Sequence, residues 1–239
     1  MRVTVFNGSP RGRRSNTHEM VAPLLEGARE AGAQAEEVFL VEHDIRQCMG
    51  CFACWGNTPG VCALDDDMSD LMDLFLESDY VGMASPVYNM YMTALLKNFT
   101  DRLLPLATPH IHRAEEGRFY HEGRVVRTPE QFFMANSGFP GEHDFDLFRA
   151  LAELTRPVLQ IYRNCGEVLR KVSPERYPEL GARIEEYRDV LRQTGRELVT
   201  SGGVSDETAG RLNMQLLSDE EYMAAANRFW DERIEGQDP

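Results

Sequence analysis

The 239-residue chain is predicted to form a doubly wound α/β domain followed by a helical extension. Short apolar, strand-like runs alternate with amphipathic helical patterns from the first residue to about residue 165. This order of strand, loop and helix predicts a parallel sheet with helices on both faces. Only helical patterns follow Pro174, so we divide the chain into a sheet domain, residues 1–170, and a helical extension, residues 171–239.

The composition narrows the class of protein. Hydrophobic residues make up 42% of the chain, which is enough for a sizeable core. The chain opens directly on a strand-like segment, and no apolar run approaches the roughly 18–20 residues of a membrane span. We therefore expect a soluble cytoplasmic protein. The formal net charge of −14 argues against a general binder of nucleic acids or of anionic membranes.

A polar loop between the first strand, residues 2–6, and the first helical pattern is predicted to bind a phosphate group. The loop is neither the dinucleotide motif G-x-G-x-x-G nor a P-loop, which would need a lysine. It offers hydroxyls, an amide, an arginine and the backbone N–H groups of a helix N-terminus, which suit a phosphate monoester. The alternative is a plain polar turn with a helix cap. The candidate phosphate-binding residues are Ser9, Arg11, Ser15, Asn16 and Thr17.

Four cysteines follow the second predicted strand, residues 35–41, in the pattern C-x2-C-x2-C-x7-C. The first three thiols can reach one centre if the backbone curls around it, as in ferredoxin-type loops. A structural zinc site usually joins two separated knuckles and fits less well, and free or redox-active thiols are the third possibility. The fifth cysteine, Cys165, is expected to be a small core residue. A [4Fe-4S] cluster in residues 47–64 is thus the leading hypothesis, with the ligands Cys48, Cys51, Cys54 and Cys62.

The third strand and its flanking helices come next. Three consecutive aspartates at residues 65–67 open a helix whose apolar residues follow i, i+3, i+4 and i+7 spacing. An apolar strand at residues 80–84 leads into a polar loop at residues 85–92, and a third helix ends at Pro105. The segment at residues 106–131 has no clear periodicity and is a candidate cover for the active site.

Two more strands complete the sheet. A strand at residues 132–135 runs into a polar turn at residues 136–142, and a helix at residues 143–155 leads to the fifth strand, residues 158–164. The chain therefore contains five strand-and-helix units.

Three histidines, His110, His112 and His121, lie in the segment without periodicity. Their spacing matches neither H-x3-H nor H-E-x2-H, so surface packing is favoured over a metal site and their role is left open.

The helical extension contains an apolar stripe that ends at Gly202, and a capping box formed by Ser218 and Glu221 precedes a last helix. A helical tail of this kind more often serves packing or subunit contact than chemistry. The last helix also carries more apolar surface than a lone exposed helix would keep. We therefore expect a homodimer or homotetramer formed through the extension.

Several of these loops resemble those of the NADPH-dependent FMN reductase family. The first loop, GSPRGRRSNT, resembles GSPR-x-x-SNT, and the loop after the third strand resembles SPVY. Lys97 with Asp101 and Arg102 resembles the K-x-x-x-D-R ending of the next helix. The cysteine pattern followed by D-D-M resembles the iron–sulfur flavoproteins of anaerobic microbes. The resemblance covers about residues 1–165, and the phosphate loop departs from it by one extra residue between Arg11 and Ser15.

The resemblance implies a flavodoxin-like five-stranded parallel sheet in the order 2-1-3-4-5, which holds FMN at its carboxyl edge beside one [4Fe-4S] cluster. The first loop would bind the FMN phosphate. Asp101 and Arg102 are expected to pair with each other. No catalytic residue is assigned, because the flavin carries the chemistry. The residues that would contact the isoalloxazine ring are Pro86, Val87, Tyr88, Asn89, Met90, Ser137, Gly138 and Phe139.

The implied function is that of an FMN-dependent oxidoreductase. It would move electrons from ferredoxin or NAD(P)H, with the cluster as a relay, to a small acceptor such as a quinone, oxygen or peroxide. Two alternatives remain open at this point. The chain is either a non-enzymatic electron carrier between protein partners or a cluster-free NAD(P)H:FMN or quinone reductase.

Overall fold

The computed structural model describes residues 1–236 and centres on one parallel sheet of five strands. The five strands are β1 (Arg2–Asn7), β2 (Gln34–Phe39), β3 (Tyr80–Pro86), β6 (Glu130–Asn136) and β7 (Leu159–Arg163), and two further strands, β4 (Ala107–Arg113) and β5 (Phe119–Gly123), form a separate hairpin. The order across the sheet is β2-β1-β3-β6-β7. Counted among the five sheet strands alone, this is the order 2-1-3-4-5, so the predicted flavodoxin-like topology is confirmed.

Helices cover both faces of the sheet. Residues of β1 on opposite faces belong to different clusters. Val3 and Val5 pack with α1 (Asn16–Glu30) and α6 (Pro178–Ser201), whereas Phe6 packs with α2 (Met68–Glu77) and α3 (Ala94–Asp101). Among residues 1–236 no helix combines the length and the apolar character needed to cross a bilayer. The helices are α1 (Asn16–Glu30), α2 (Met68–Glu77), α3 (Ala94–Asp101), α4 (Asp146–Thr155), α5 (Val168–Lys171), α6 (Pro178–Ser201), α7 (Asp206–Leu212) and α8 (Asp219–Glu235).

The antiparallel hairpin of β4 and β5 lies in the segment where the sequence predicted no regular structure. That expectation was wrong because most side chains of both strands are exposed, so the hydrophobic alternation of a half-buried strand is missing. The hairpin contacts the cysteine loop, residues 47–64. The ring centroids of Trp55 in this loop and His121 in the hairpin are 4.9 Å apart. The Nδ1 atom of His121 also lies 3.1 Å from the carbonyl oxygen of His110.

The backbones of α1 and α6 touch where the two helices cross. A Cβ atom on Gly27 would lie 1.8 Å from the carbonyl oxygen of Arg192, and one on Gly195 would lie 1.9 Å from the carbonyl oxygen of Leu24. Only glycine fits at both positions. Through α6 the extension therefore packs directly on the sheet domain, and the proposed boundary near residue 170 stays a prediction. Ion pairs along the crossing join Arg188 to Glu19, Arg192 to Glu26 and Arg196 to Glu30.

The end of the extension follows the sequence signals closely. Gly202 ends α6 in the left-handed conformation, with φ of 72°. The side chain of Ser218 and the side chain of Glu221 form the predicted capping box before α8. The short helix α7 between them was not predicted.

A buried ion pair holds the base of the cysteine loop. Both terminal nitrogens of Arg102 donate to the carboxylate of Asp66, at 2.7 and 2.8 Å, and one of them also donates to the carbonyl of Arg46 at 2.7 Å. Only 1% of Arg102 is exposed. The expected pairing of Arg102 with Asp101 is thus wrong, because adjacent helical residues point in different directions: Asp101 stays at the surface and pairs with Lys97.

We expect the substitution Gly195→Ala to destabilise the protein by about 3 kcal/mol or more, because the added methyl group forces two touching backbones apart. The matched control is Gly210→Ala in α7, where an added Cβ meets no atom within 4 Å. That change should be neutral or stabilising by up to about 1 kcal/mol. Urea unfolding measures both values, and equal effects of the two substitutions would contradict the described crossing.

We expect Asp66→Asn to lower the free energy of unfolding by about 3–5 kcal/mol, because Arg102 then keeps a buried charge without its partner. The control Asp101→Asn removes an exposed pair and should change stability by about 0.5 kcal/mol or less. The Arg102 guanidinium lowers the pKa of Asp66 to about 2. The contribution of the pair is therefore complete at neutral pH and is lost as the pH falls from about 4 towards 2. Measuring the free energy of unfolding against pH checks this prediction. A loss of stability at low pH that is the same in Asp66→Asn as in the unsubstituted protein would contradict it.

Candidate cofactor site at the carboxyl edge of the sheet

Three loops at the carboxyl ends of β1, β3 and β6 meet at one edge of the sheet, and hydrogen bonds join them. The hydroxyl of Thr93, at the start of α3, donates to the carbonyl of Gly8 at 2.6 Å. The backbone N–H of Val87 donates to the carbonyl of Asn136 at 2.8 Å. The amide of Asn136 donates to the hydroxyl of Thr17 at 2.7 Å. The predicted residues of all three loops therefore form one connected surface.

The first loop carries three hydroxyl groups that accept hydrogen bonds but donate none. The oxygens of Ser9 and Ser15 each accept from a backbone N–H, at 3.4 and 3.0 Å, and that of Thr17 accepts from Asn136. None of the three hydroxyl protons has an acceptor among residues 1–236. All three side chains are buried. A ligand with several acceptor oxygens would satisfy them, as a phosphate group does.

The same loop ends at the N-terminus of α1, where Ser15 is the cap residue. The backbone N–H groups of Asn16 and Thr17 have no hydrogen-bond partner in the part of the chain that the structure describes. Free N–H groups at a helix N-terminus bind anions. The local chemistry of the first loop therefore fits a phosphate group.

Arg11 and Asn16 are the two predicted phosphate ligands that the structure places next to a carboxylate. The guanidinium of Arg11 is 53% exposed, and its nearest nitrogen lies 3.5 Å from an oxygen of Glu167. Burial opposes ionisation of Glu167, but Lys171, Arg11 and Asn16 outweigh it and lower its pKa. The side-chain oxygen of Asn16 is buried and has no partner in residues 1–236.

A chain of buried and partly buried polar groups supports the first loop, and sequence reasoning missed it. The side chain of Asn7 accepts from the N–H of Ser9 at 2.8 Å and donates to Glu37 at 2.7 Å. The other oxygen of Glu37 lies 2.6 Å from the ring of His18, and this hydrogen bond raises the pKa of His18. The only sign of this support in the sequence was Asn7, the polar residue at the end of β1.

The second loop is a tight turn. Tyr88 and Tyr91 exchange backbone hydrogen bonds of 2.8 and 3.1 Å, and the two residues between them, Asn89 and Met90, have φ angles of 47° and 71°. A positive φ is unusual for methionine and marks local strain. Tyr88, Asn89 and Met90 are exposed, whereas Pro86 and Val87 are half-buried. The turn therefore exposes Tyr88 and Met90 at the same edge of the sheet as the first loop.

The third loop is held from inside and from the helical extension. The buried hydroxyl of Ser137 donates to the carboxylate of Asp144 and accepts from the N–H of Phe139 at 3.1 Å. The carbonyl of Gly138 accepts from the hydroxyl of Tyr222 in α8 at 2.5 Å, and burial raises the pKa of that phenol to about 12. Phe139 is 65% exposed. The contact from α8 was not predicted, because it joins positions 84 residues apart.

The four cysteines of the predicted cluster share one loop but do not meet at one centre. Cys48 and Cys51 are exposed, Cys54 is buried and Cys62 is intermediate. Burial raises the pKa of Cys54 above all, and the charges of Cys62, Cys48 and Cys51 raise it further. Among residues 1–236 no three His, Cys, Asp or Glu side chains are gathered in a group able to hold a metal ion.

The cysteine loop nevertheless has a buried cation, Arg102, at its base. The pKa of Arg102 is raised by Asp66 above all, and also by Cys62. The Nε atom of Arg102 is buried and has no hydrogen-bond partner in the described residues. The donor set thus fits a thiolate-ligated centre in its chemistry. The fifth cysteine, Cys165, is part of the main hydrophobic core, as expected, and burial raises its pKa to about 11.

Comparison with solved structures finds proteins of the same architecture. An FMN-dependent NADH-azoreductase from Bacillus anthracis, solved with FMN, superimposes with a TM-score of 0.57 and 14% identity, over 83% of this chain and 99% of that one. An NAD(P)H:quinone oxidoreductase from Methanothermobacter marburgensis gives a TM-score of 0.55 and 18% identity, over 83% and 96% of the two chains. These similarities show a shared fold.

Sequence comparison finds closer relatives. The chain is 38% identical to an iron-sulfur flavoprotein of Archaeoglobus fulgidus over 105 residues, which is 44% of this chain and 46% of the relative. It is 32% identical to an iron-sulfur flavoprotein of Methanosarcina thermophila over 102 residues, 43% of this chain and 52% of the relative. The chain thus spans about half the length of these relatives. Residues 1–126, more than half of the chain, match the family described as NADPH-dependent FMN reductase. The chain therefore belongs to the NADPH-dependent FMN reductase family.

Proposed function

We propose that the chain is an FMN-dependent oxidoreductase that also carries a [4Fe-4S] cluster. It moves electrons from ferredoxin or NAD(P)H to a small acceptor such as a quinone, oxygen or peroxide. The observation that carries the flavin assignment is the surplus of hydrogen-bond donors in the first loop. Three hydroxyl protons and two backbone N–H groups there have no acceptor among residues 1–236. Family membership supports the same cofactor.

The chain's own residues bind and orient the cofactor. Ser9, Ser15 and Thr17 would donate to the phosphate, and Arg11, which is half exposed, would add a positive charge. The turn at residues 88–91 and the loop at residues 137–139 would hold the ring. When bound, FMN supplies the electron-transfer chemistry. No side chain of these loops is assigned as a general acid or base.

The cluster assignment rests on the cysteine loop. Four thiols lie in one loop, and the buried guanidinium of Arg102 places a positive charge at the base of that loop. The relatives from Archaeoglobus fulgidus and Methanosarcina thermophila carry the name iron-sulfur flavoprotein, which supports a cluster here. Cys48, Cys51, Cys54 and Cys62 would be its ligands. Ligation would order the loop around the metal, as metal binding does in other small sites.

A second candidate is a cluster-free NAD(P)H:FMN or quinone reductase. It is favoured by one observation: the four thiols are not gathered in a metal-binding group within the described residues. A non-enzymatic electron carrier is the remaining alternative. Oxidation of NAD(P)H with a dye acceptor separates these functions, because a pure carrier needs a protein donor such as ferredoxin. For each of them we propose a homodimer or homotetramer, since Phe229 and Trp230 of α8 are exposed.

We expect the protein to bind FMN more tightly than riboflavin, because only FMN carries the phosphate group. The substitution Arg11→Ala removes a charge-assisted contact and should weaken FMN binding by about 1.5–3 kcal/mol while leaving riboflavin binding nearly unchanged. Arg14→Ala, in the same loop, removes an equal charge from an unassigned position and should have a smaller effect. Titration of flavin fluorescence measures all affinities. Equal affinity of the unsubstituted chain for the two flavins would contradict the proposed phosphate site.

We expect anaerobically purified protein to contain about four iron atoms per chain. Cys54→Ser should abolish the broad visible absorption of the cluster and leave the FMN bands, because the flavin loops make their hydrogen bonds without the thiols. The control Cys165→Ala changes a core thiol and should alter neither signal. Iron and sulfide analysis beside the absorption spectrum is the measurement. One equivalent of zinc without iron, or full iron content in Cys54→Ser, would favour the cluster-free reductase.

A further inference from the structure

We propose that Glu167 is a positioning residue that competes with the FMN phosphate for the residues of the first loop. The inference rests on the proposed function, because it concerns how strongly the same site holds FMN. Glu167 immediately precedes α5 and follows the core residues at the end of β7. No motif of the family resemblance includes it.

The carboxylate of Glu167 lies next to a residue that is expected to bind the phosphate. An oxygen of Glu167 lies 3.5 Å from the guanidinium of Arg11, and the other lies 2.7 Å from the ammonium of Lys171. Asn16 contributes, after Lys171 and Arg11, to the lowered pKa of this carboxylate. One of the five predicted phosphate ligands, Arg11, is therefore already paired with an anion of the chain itself.

This arrangement opposes phosphate binding in two ways. Arg11 must leave Glu167, or share its charge with it, before it can serve the phosphate. The ionised carboxylate also repels a second anion nearby, and only part of that repulsion is removed by Lys171. Both effects act on the phosphate group of the flavin and not on its ring, so they distinguish FMN from riboflavin.

Glu167 also connects the phosphate loop to the helical extension. The ammonium of Lys171 lies 4.9 Å from the ring centroid of Phe229 in α8. The pKa of Tyr222 is raised mainly by burial, then by Cys165, and to a smaller extent by the charge of Glu167. A movement of α8 that shifts Lys171 would thus change how firmly Glu167 holds Arg11. The consequence is an FMN site whose affinity is held below its maximum, so that FMN exchanges more readily.

The test uses the full chain, depleted of flavin and titrated separately with FMN and riboflavin. Glu167→Gln should lower the FMN dissociation constant about three- to tenfold and change that of riboflavin less than about twofold. Lys171→Met should act in the opposite direction and weaken FMN, because Glu167 then keeps its full charge for Arg11. In the background of Arg11→Ala the effect of Glu167→Gln should shrink. Glu26→Gln is the matched control, since it also removes a glutamate paired with an arginine, Arg192, away from the loop.

The outcomes separate the possible explanations. An FMN affinity that is unchanged or weaker in Glu167→Gln, with riboflavin unchanged, overturns the competition. Equal changes for both flavins mean that Glu167 acts on the loop structure alone, and this too overturns it. An unsubstituted chain that binds FMN and riboflavin equally would instead refute the phosphate site of the proposed function, and the inference with it.

Discussion

The five sheet strands all run in one direction, and this constraint determines where chemistry can occur in the molecule. Each helix returns the chain to the opposite edge, so the loops after β1, β3 and β6 end at the same edge. Hydrogen bonds from Thr93 to Gly8 and from Asn136 to Thr17 then hold three loops that are distant in sequence. Gly8 is required at this junction, because a Cβ atom would lie 2.6 Å from that of Leu96.

Local patterns in the sequence were sufficient for the sheet and for the loops that follow its strands. Apolar runs identified all five sheet strands, and Ser218 with Glu221 identified the start of α8, because these signals act within a few residues. The β4–β5 hairpin could not be found in this way, since its side chains are mainly exposed. Short-range signals therefore predict elements that are continuously buried or whose burial alternates regularly along the chain.

Contacts between distant residues were beyond such patterns. Arg102 was expected to pair with its neighbour, but the deciding factor is which way its side chain points from α3, and it points towards Asp66. The support of the phosphate loop by Glu37 and the contact of Tyr222 with Gly138 depend on how separate elements pack. The candidate phosphate ligands of the first loop could be identified from the sequence by residue type. Whether their hydroxyl and N–H groups lack acceptors within the protein could be seen only in the folded structure.

The two proposed redox centres are supported by different parts of the fold. The flavin loops are connected to each other and to α8, while the cysteine loop is held at its base by Asp66 and Arg102. Beyond that base the loop has exposed apolar side chains, Met49, Phe52 and Val61, and two exposed thiols, Cys48 and Cys51. A cluster bound there would add the missing order, because ligand bonds constrain the loop more strongly than its own packing does. Loss of the cluster should consequently disturb the loop beyond its base and leave the flavin loops in place, since the hydrogen bonds that join the flavin loops do not involve the thiols.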